Sequence, residues 1–251
     1  MGSRFAARFD PDAPRGLRLT LVVAAVFLVA VPFGVLVLEV ATRGRVVKID
    51  AAVAWHQNLD NHIDRDRVAY AQVLTQFGST AVLVAVVAAT VSWLALLGRR
   101  RQALYVLITS AFGAIMNVTL KAAIGRSRPH FDDAVAHALG KSFPSGHAMN
   151  AAVVYGAVIV VLWQPLRGWR RRVTLLGLLS GLVVGIAASR VVLTVHYVSD
   201  VVAGVVLGVA LVLGSTAAFQ VWQVEEARSP AGGSDPDGPP RVGSVPSTAD
   251  V

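Results

Sequence analysis

Arg190, His196 and Asp200 interrupt a run from 173 to 222 that is otherwise mostly Val, Leu, Ala and Gly. Ionisable side chains are costly in hydrocarbon, so in an apolar run they mark candidate functional positions. Two more polar clusters stand upstream, KAAIGRSRP (121–129) and KSFPSGHAMN (141–150). Together the three supply Lys121, Arg126, Arg128, Ser145, His147, Arg190, His196 and Asp200.

This set suits the handling of a phosphate. Lys and Arg bind its oxygens, Arg often through two parallel hydrogen bonds. Ser145 and Gly146 stand just before an apolar run, where a hydroxyl and the free amides of a helix start form an anion site. Gly146 also permits close backbone approach. His196 and Asp200 are four apart and share a helix face. A carboxylate there can hold the proton on one ring nitrogen and leave the other free to attack phosphorus. His147 is available as general acid for the leaving alkoxide and then as base for water. Lys and Arg supply the charge that stabilises the transferring group, so neither a metal nor another cofactor is expected.

These residues need elements to position them. The chain has 251 residues, 55% hydrophobic and 15% charged. A soluble domain carries about 25% charged residues, and here the apolar ones form long runs, which indicates an integral membrane protein. With no cysteine, disulfides, thiolate metal sites and a Cys nucleophile are excluded. The net charge of +8 comes from short Arg clusters between apolar runs rather than a basic stripe, so nucleic acid is not an expected partner.

The expected fold is all-α, a bundle of six transmembrane helices at 19–40, 80–97, 104–124, 147–163, 173–192 and 198–219. The run from 19 is too long for a cleaved signal, so a retained first span is expected. The run 173–222 contains no Pro and would reach roughly 75 Å as one helix, against a hydrocarbon core of about 30 Å. It must fold back, and its polar cluster near 190–200 is the place. No Gly or Pro in VVLTV (191–195) says which residue bends.

Arg4, Arg8, Arg15 and Arg18, then Arg99 to Arg101, then Arg167 and Arg170 to Arg172 place three segments on the cytoplasmic side. Arg43, Arg45 and Lys48 run against this bias. Both termini are then cytoplasmic, and the three clusters share the outer face of the cell membrane. The chain divides into a basic N-terminal tail (1–18), the six-helix domain (19–222, catalytic core about 104–219) and a Gly/Pro/Ser-rich tail (223–251) expected to be disordered.

Other polar residues have plainer readings. His130 and His137 are expected to be solvated. The mixed charges of HQNLDNHIDRDR (56–67) suit an outer loop better than a metal site. Ile49, Val53, Trp55, Leu59 and Ile63 suggest a helix lying on the membrane surface. For Arg126, snorkelling to the interface and anion binding weigh equally. Gly181/Gly185 and Gly204/Gly208 are expected to serve helix packing.

The clusters resemble the signature of the type 2 phosphatidic acid phosphatase family, which is related to the vanadium haloperoxidases. That pattern is a Lys, six residues and Arg-Pro (Lys121, Arg128-Pro129), then Pro-Ser-Gly-His (Pro144 to His147), then Ser-Arg, five residues, His, three residues and Asp (Ser189-Arg190, His196, Asp200). Every spacing matches, over about 104–219. The resemblance implies a six-helix bundle with an outward site. His196 would be the nucleophile that forms a phosphohistidine, Asp200 its orienting group and His147 the acid/base. Lys121, Arg128, Ser145, Gly146 and Arg190 would hold the phosphate, and the partner would be a membrane lipid substrate. A lipid phosphate phosphatase, cleaving a phosphomonoester or polyprenyl diphosphate, is the leading reading. A phosphotransferase would use the same residues. A non-enzymatic protein that kept the fold should have lost one of them, and membrane spans argue against a haloperoxidase.

Overall fold

The computed structural model describes residues 30–163 and 165–228, and these are helical with no strand among them. The helices are α1 (Ala30–Ala41), α2 (Arg45–Ile63), α3 (Arg65–Gln76), α4 (Thr80–Leu96), α5 (Arg100–Ile124), α6 (Gly146–Trp163), α7 (Trp169–Val192) and α8 (Val198–Arg228).

Four of them, α5 to α8, are long and apolar enough to cross a membrane. A fifth crossing requires α3 and α4 to be taken as one span bent by 40°. Of the expected first span only the short apolar α1 falls within the described residues. α8 runs on to Arg228, past the end at 219 expected from hydropathy. The basic N-terminal tail and residues 229–251 lie outside the described residues.

Local chemistry sets several boundaries. Asp64 accepts the Arg67 amide at 2.9 Å and starts α3. Ser79 does the same for α4 through Val82 at 3.4 Å. α5 stops at Gly125, whose φ of 67° is left-handed, the usual helix C-terminal device.

α6 is the central helix, with 56% of its spanning window buried against 28–33% for α5, α7 and α8. It joins α4 and α7 through Leu83, Ala151, Ala152, Tyr155, Val183 and Ile186. α8 packs on it through glycines. A Cβ at Gly204 would lie 2.8 Å from the Ser145 carbonyl oxygen, and one at Gly208 2.7 Å from that of Met149. Such contact between backbones needs small residues and carries helix association in lipid. Gly181 faces open space instead, so the packing role expected for it is not seen. Leu107, Ile108, Phe112, Ile115 and Val118 leave the outer face of α5 apolar and exposed, as a lipid-facing surface requires.

α2 is arranged inside out for a soluble helix. Ile49, Trp55, Leu59 and Ile63 are exposed while Asp50, Asn58 and Asn61 are buried. A helix forms over the stretch expected to be one, and its inner face is polar rather than apolar.

The fold-back between α7 and α8 occurs at Thr194, whose φ is 52°. Its neighbours Leu193 and Val195 are buried against Val68 and Ala71 of α3. The Val195 and His196 amides both donate to the Arg190 carbonyl at 3.3 Å. Tertiary packing therefore bends a sequence that has no turn residue of its own.

Candidate active site

The three clusters meet at one end of the bundle. Lys121 lies in the last turn of α5, and Arg126 and Arg128 follow its Gly125 stop. Ser145, Gly146 and His147 start α6. Arg190 is in the last turn of α7, His196 follows the turn and Asp200 lies in the first turn of α8.

His196 is 2% exposed and held on both nitrogens. Arg128 Nη1 stands 2.9 Å from Nε2, and Asp200 Oδ2 lies 3.3 Å from Nδ1. A guanidinium can only donate and a carboxylate can only accept. The proton is thereby assigned to Nδ1 and the lone pair to Nε2. Burial pushes the His196 imidazole down to about 4, against the opposing pull of its Asp200 hydrogen bond, so it is neutral near pH 7.

Asp200 is fully buried and uses both oxygens. Oδ2 also accepts the Tyr197 amide at 3.0 Å and the Ser142 hydroxyl. Oδ1 accepts Arg126 Nη1 at 2.7 Å. Arg126 neither snorkels nor faces an anion site. Its side chain is only 8% exposed, and it bridges Asp200 and Asp50.

Beside His196 is a cluster of cationic side chains. His147 is within electrostatic reach of Arg190, His196, Lys121 and Arg128. Lys121 Nζ donates to the Lys141 carbonyl at 2.8 Å. Arg128 ties Gly140 (3.1 Å) to Val195 (2.8 Å) through their carbonyls, joining the 125–145 loop to the turn. Arg190 gives Nη1 to Thr75 Oγ1 at 2.7 Å, while its buried Nε has no protein partner. The fully buried Ser145 hydroxyl has none either. Orphaned buried donors beside clustered cations suit an oxyanion with several acceptor oxygens. At Gly146 a Cβ would lie 2.9 Å from Asn117 Oδ1, so the glycine lets the start of α6 close on α5.

Lys121, Arg128, Ser145, Gly146, His147, Arg190, His196 and Asp200 lie together at this end of the bundle, and Arg126 stands behind Asp200. Asp50, Thr75, Ser142 and Ser199 were not expected. Ser142 stands inside the second cluster, which was its only signal in sequence. His130 and His137 are exposed, as expected. His62 does more than solvate a loop. It pairs with Asp133 at 2.9 Å beside an Asn58–Asp133 hydrogen bond of 3.0 Å, clasping α2 to the 125–145 loop.

Fold and site together define a helical membrane protein with a buried histidine-carboxylate pair beside a cluster of cationic side chains. Comparison with known proteins refines that class. A family model described as PAP2 superfamily matches residues 102–223. Phosphatidylglycerophosphatase B of Bacillus subtilis is 32% identical over 139 residues, 55% of this chain and 68% of that protein. Lipid A 1-phosphatase of Rhizobium etli is 33% identical over 113 residues, 41% of this chain and 44% of that protein. The crystal structure of a transmembrane PAP2 type phosphatidylglycerolphosphate phosphatase from Bacillus subtilis shares the fold, with a TM-score of 0.67 at 24% identity, over 80% of this chain and 98% of that one. The chain belongs to the PAP2 superfamily.

Proposed function

We propose that the protein is a membrane lipid phosphate phosphatase that works through a phosphohistidine, without a metal. The phosphate group of the lipid binds at the cationic cluster, where Lys121, Arg128, Arg190, the Ser145 hydroxyl and the amides at Gly146 hold its oxygens. The His196 Nε2 lone pair attacks phosphorus in line with the leaving oxygen. The bond between phosphorus and that oxygen breaks, and His147 gives the oxygen a proton. His147 then takes a proton from water, which attacks the phosphohistidine. Inorganic phosphate leaves and His196 regains its lone pair. Asp200 keeps the Nδ1 proton aimed and balances the ring's positive charge while phosphorus is attached.

The substrate class is a lipid phosphomonoester or diphosphate, and the names of the phosphatidylglycerophosphate and lipid A relatives support it. The site faces outward and the termini lie in the cytoplasm on this reading. In support, the Arg residues at 99–101 and 170–172 precede or begin α5 and α7, the ends opposite Lys121 and Arg190. Six spans complete the bundle.

The observation that carries the reading is the His196 ring, with Nε2 as acceptor and Nδ1 on a buried carboxylate. The test is phosphate release from phosphatidylglycerophosphate and phosphatidic acid in detergent with EDTA present. Wild type should release phosphate and His196→Ala should not; full activity in that variant sinks the mechanism.

A further inference from the structure

The three clusters do not account for Asp50. It lies on α2, outside the matched family region, yet it is only 2% exposed and reaches the site. Its Oδ2 accepts Arg126 Nη2 at 2.7 Å, and Nη1 of the same guanidinium goes to Asp200 Oδ1 at 2.7 Å. Asp50 Oδ1 also takes the Ser199 amide at 3.1 Å, and Oδ2 takes the Ser199 hydroxyl. Ser199 immediately precedes Asp200, so Asp50 grips the helix start that carries Asp200. The guanidinium lies 4.2 Å over the Tyr197 ring, which fixes its plane.

Two things follow for Asp200. First, its Oδ2 must stay aimed at His196 Nδ1, and Arg126 prevents rotation by holding Oδ1. Second, Arg126 alone would neutralise Asp200. When Nε2 bonds to phosphorus and Nδ1 keeps its proton, the ring becomes cationic and needs a nearby anion. The other ionisable groups acting on His196, Arg128 and Arg190, are cations. Asp50 balances Arg126 and leaves the Asp200 charge to the ring.

We propose that Asp50 is a positioning residue for the reaction: through Arg126 it fixes the aim of Asp200 and preserves its charge, so a docked α2 is a condition for a competent His196. The inference rests on the reading of His196 as nucleophile.

The test uses the full chain in detergent micelles with phosphatidic acid as probe. Asp50→Asn should lower kcat about 30-fold with KM within about threefold, the scale of a misaligned catalytic group. Asp50→Glu, which keeps the charge, should recover most of that loss. Arg126→Gln should lose at least as much as Asp50→Asn, and Asp50→Asn combined with Arg126→Gln should lose no more than Arg126→Gln alone, because Asp50 acts through Arg126. Wild-type kcat in Asp50→Asn, a loss confined to KM, or losses that multiply in the double variant overturns the proposal. Removing one partner of a buried ion pair can unfold a protein. If Asp50→Asn does not fold, Arg126→Lys decides by the same rule, since lysine lacks the planar fork that gives one nitrogen to each carboxylate. Nitrogen NMR of histidine-labelled protein reads the His196 tautomer without turnover. Wild type should show protonated Nδ1, and Asp50→Asn a mixture; an unchanged tautomer overturns the proposal. If wild type releases phosphate from neither phosphatidic acid nor phosphatidylglycerophosphate, the phosphatase reading has failed, and the NMR result alone decides the role of Asp50.

Discussion

The two histidines of the site stand in opposite kinds of surroundings. His196, between α7 and α8, has a partner on each ring nitrogen and a backing carboxylate with three further donors. His147, at the start of α6, makes no side-chain hydrogen bond among the described residues. Its ring rests against Gly78, where a Cβ would come within 3.3 Å of its Cδ2. The difference matches the two proposed tasks. A nucleophile has one productive direction and one productive tautomer, and both are fixed by hydrogen bonds. An acid/base must give and take a proton and serve first an alkoxide and then water, so a fixed partner would compete with its substrates.

The largest effects should separate the two residues by step. His196→Ala should lower kcat by at least about 10³-fold and leave no phosphoenzyme, because no other group carries the nucleophilic lone pair. His147→Ala should lose about 10²–10⁴-fold. That variant should still become phosphorylated, most readily by an aryl phosphate whose leaving group needs no proton, and should then hydrolyse slowly. Acid-quench labelling with radioactive phosphate measures both. A phosphoenzyme in His196→Ala would break the comparison at its root.

The next effect is in the pH profile. Protonated Nε2 has no lone pair, so activity is lost as pH falls through the His196 value. Burial has lowered that value to about 4, and the acid limb of kcat/KM should lie there rather than near the ordinary histidine value of about 6.5. Stopped assays from pH 3.5 to 8 in detergent would locate it. A limb near 6.5 would mean that His196 is more solvated than its 2% exposure allows.

Ser142 offers a smaller probe of how tightly His196 is held. Its hydroxyl donates to Asp200 Oδ2 and lies 3.4 Å from His196 Nδ1. Ser142→Ala removes one of four donors to the carboxylate and should reduce kcat about tenfold with KM unchanged, the scale of one charge-assisted hydrogen bond.

The same contrast explains what could be read from sequence. α5 to α8 were legible because long apolar runs in lipid have few solutions, and the three clusters because ionisable side chains stand out against those runs. Asp50 and Thr75 were not legible. Each is one polar residue among others on α2 or α3, and only tertiary packing aims it at Arg126 or Arg190. Arg126 was ambiguous because a charge near the end of a span reads the same whether it snorkels or pairs. The inner face of α2 was hidden for a related reason: its buried residues are polar, so no apolar period marks the side that faces the protein.

The turn that presents His196 gives the smallest and most discriminating test. Thr194 is a β-branched residue in the left-handed region, φ 52°, at a cost of about 1–2 kcal/mol. Packing of Leu193 and Val195 on α3 and the amide bonds to Arg190 sustain it. Thr194→Gly removes that strain, adds freedom to the unfolded chain and empties a buried side-chain position. These terms oppose one another, and the net change in stability should stay within about 1 kcal/mol. If hydrogen bonds to Arg128 and Asp200 are what aim His196, kcat should also stay within about twofold, since the variant touches neither. Thermal unfolding and phosphate release measured on the same preparation separate the two quantities. An unchanged melting temperature with a tenfold loss of kcat would show that backbone strain, rather than the hydrogen bonds, sets the direction of the nucleophile.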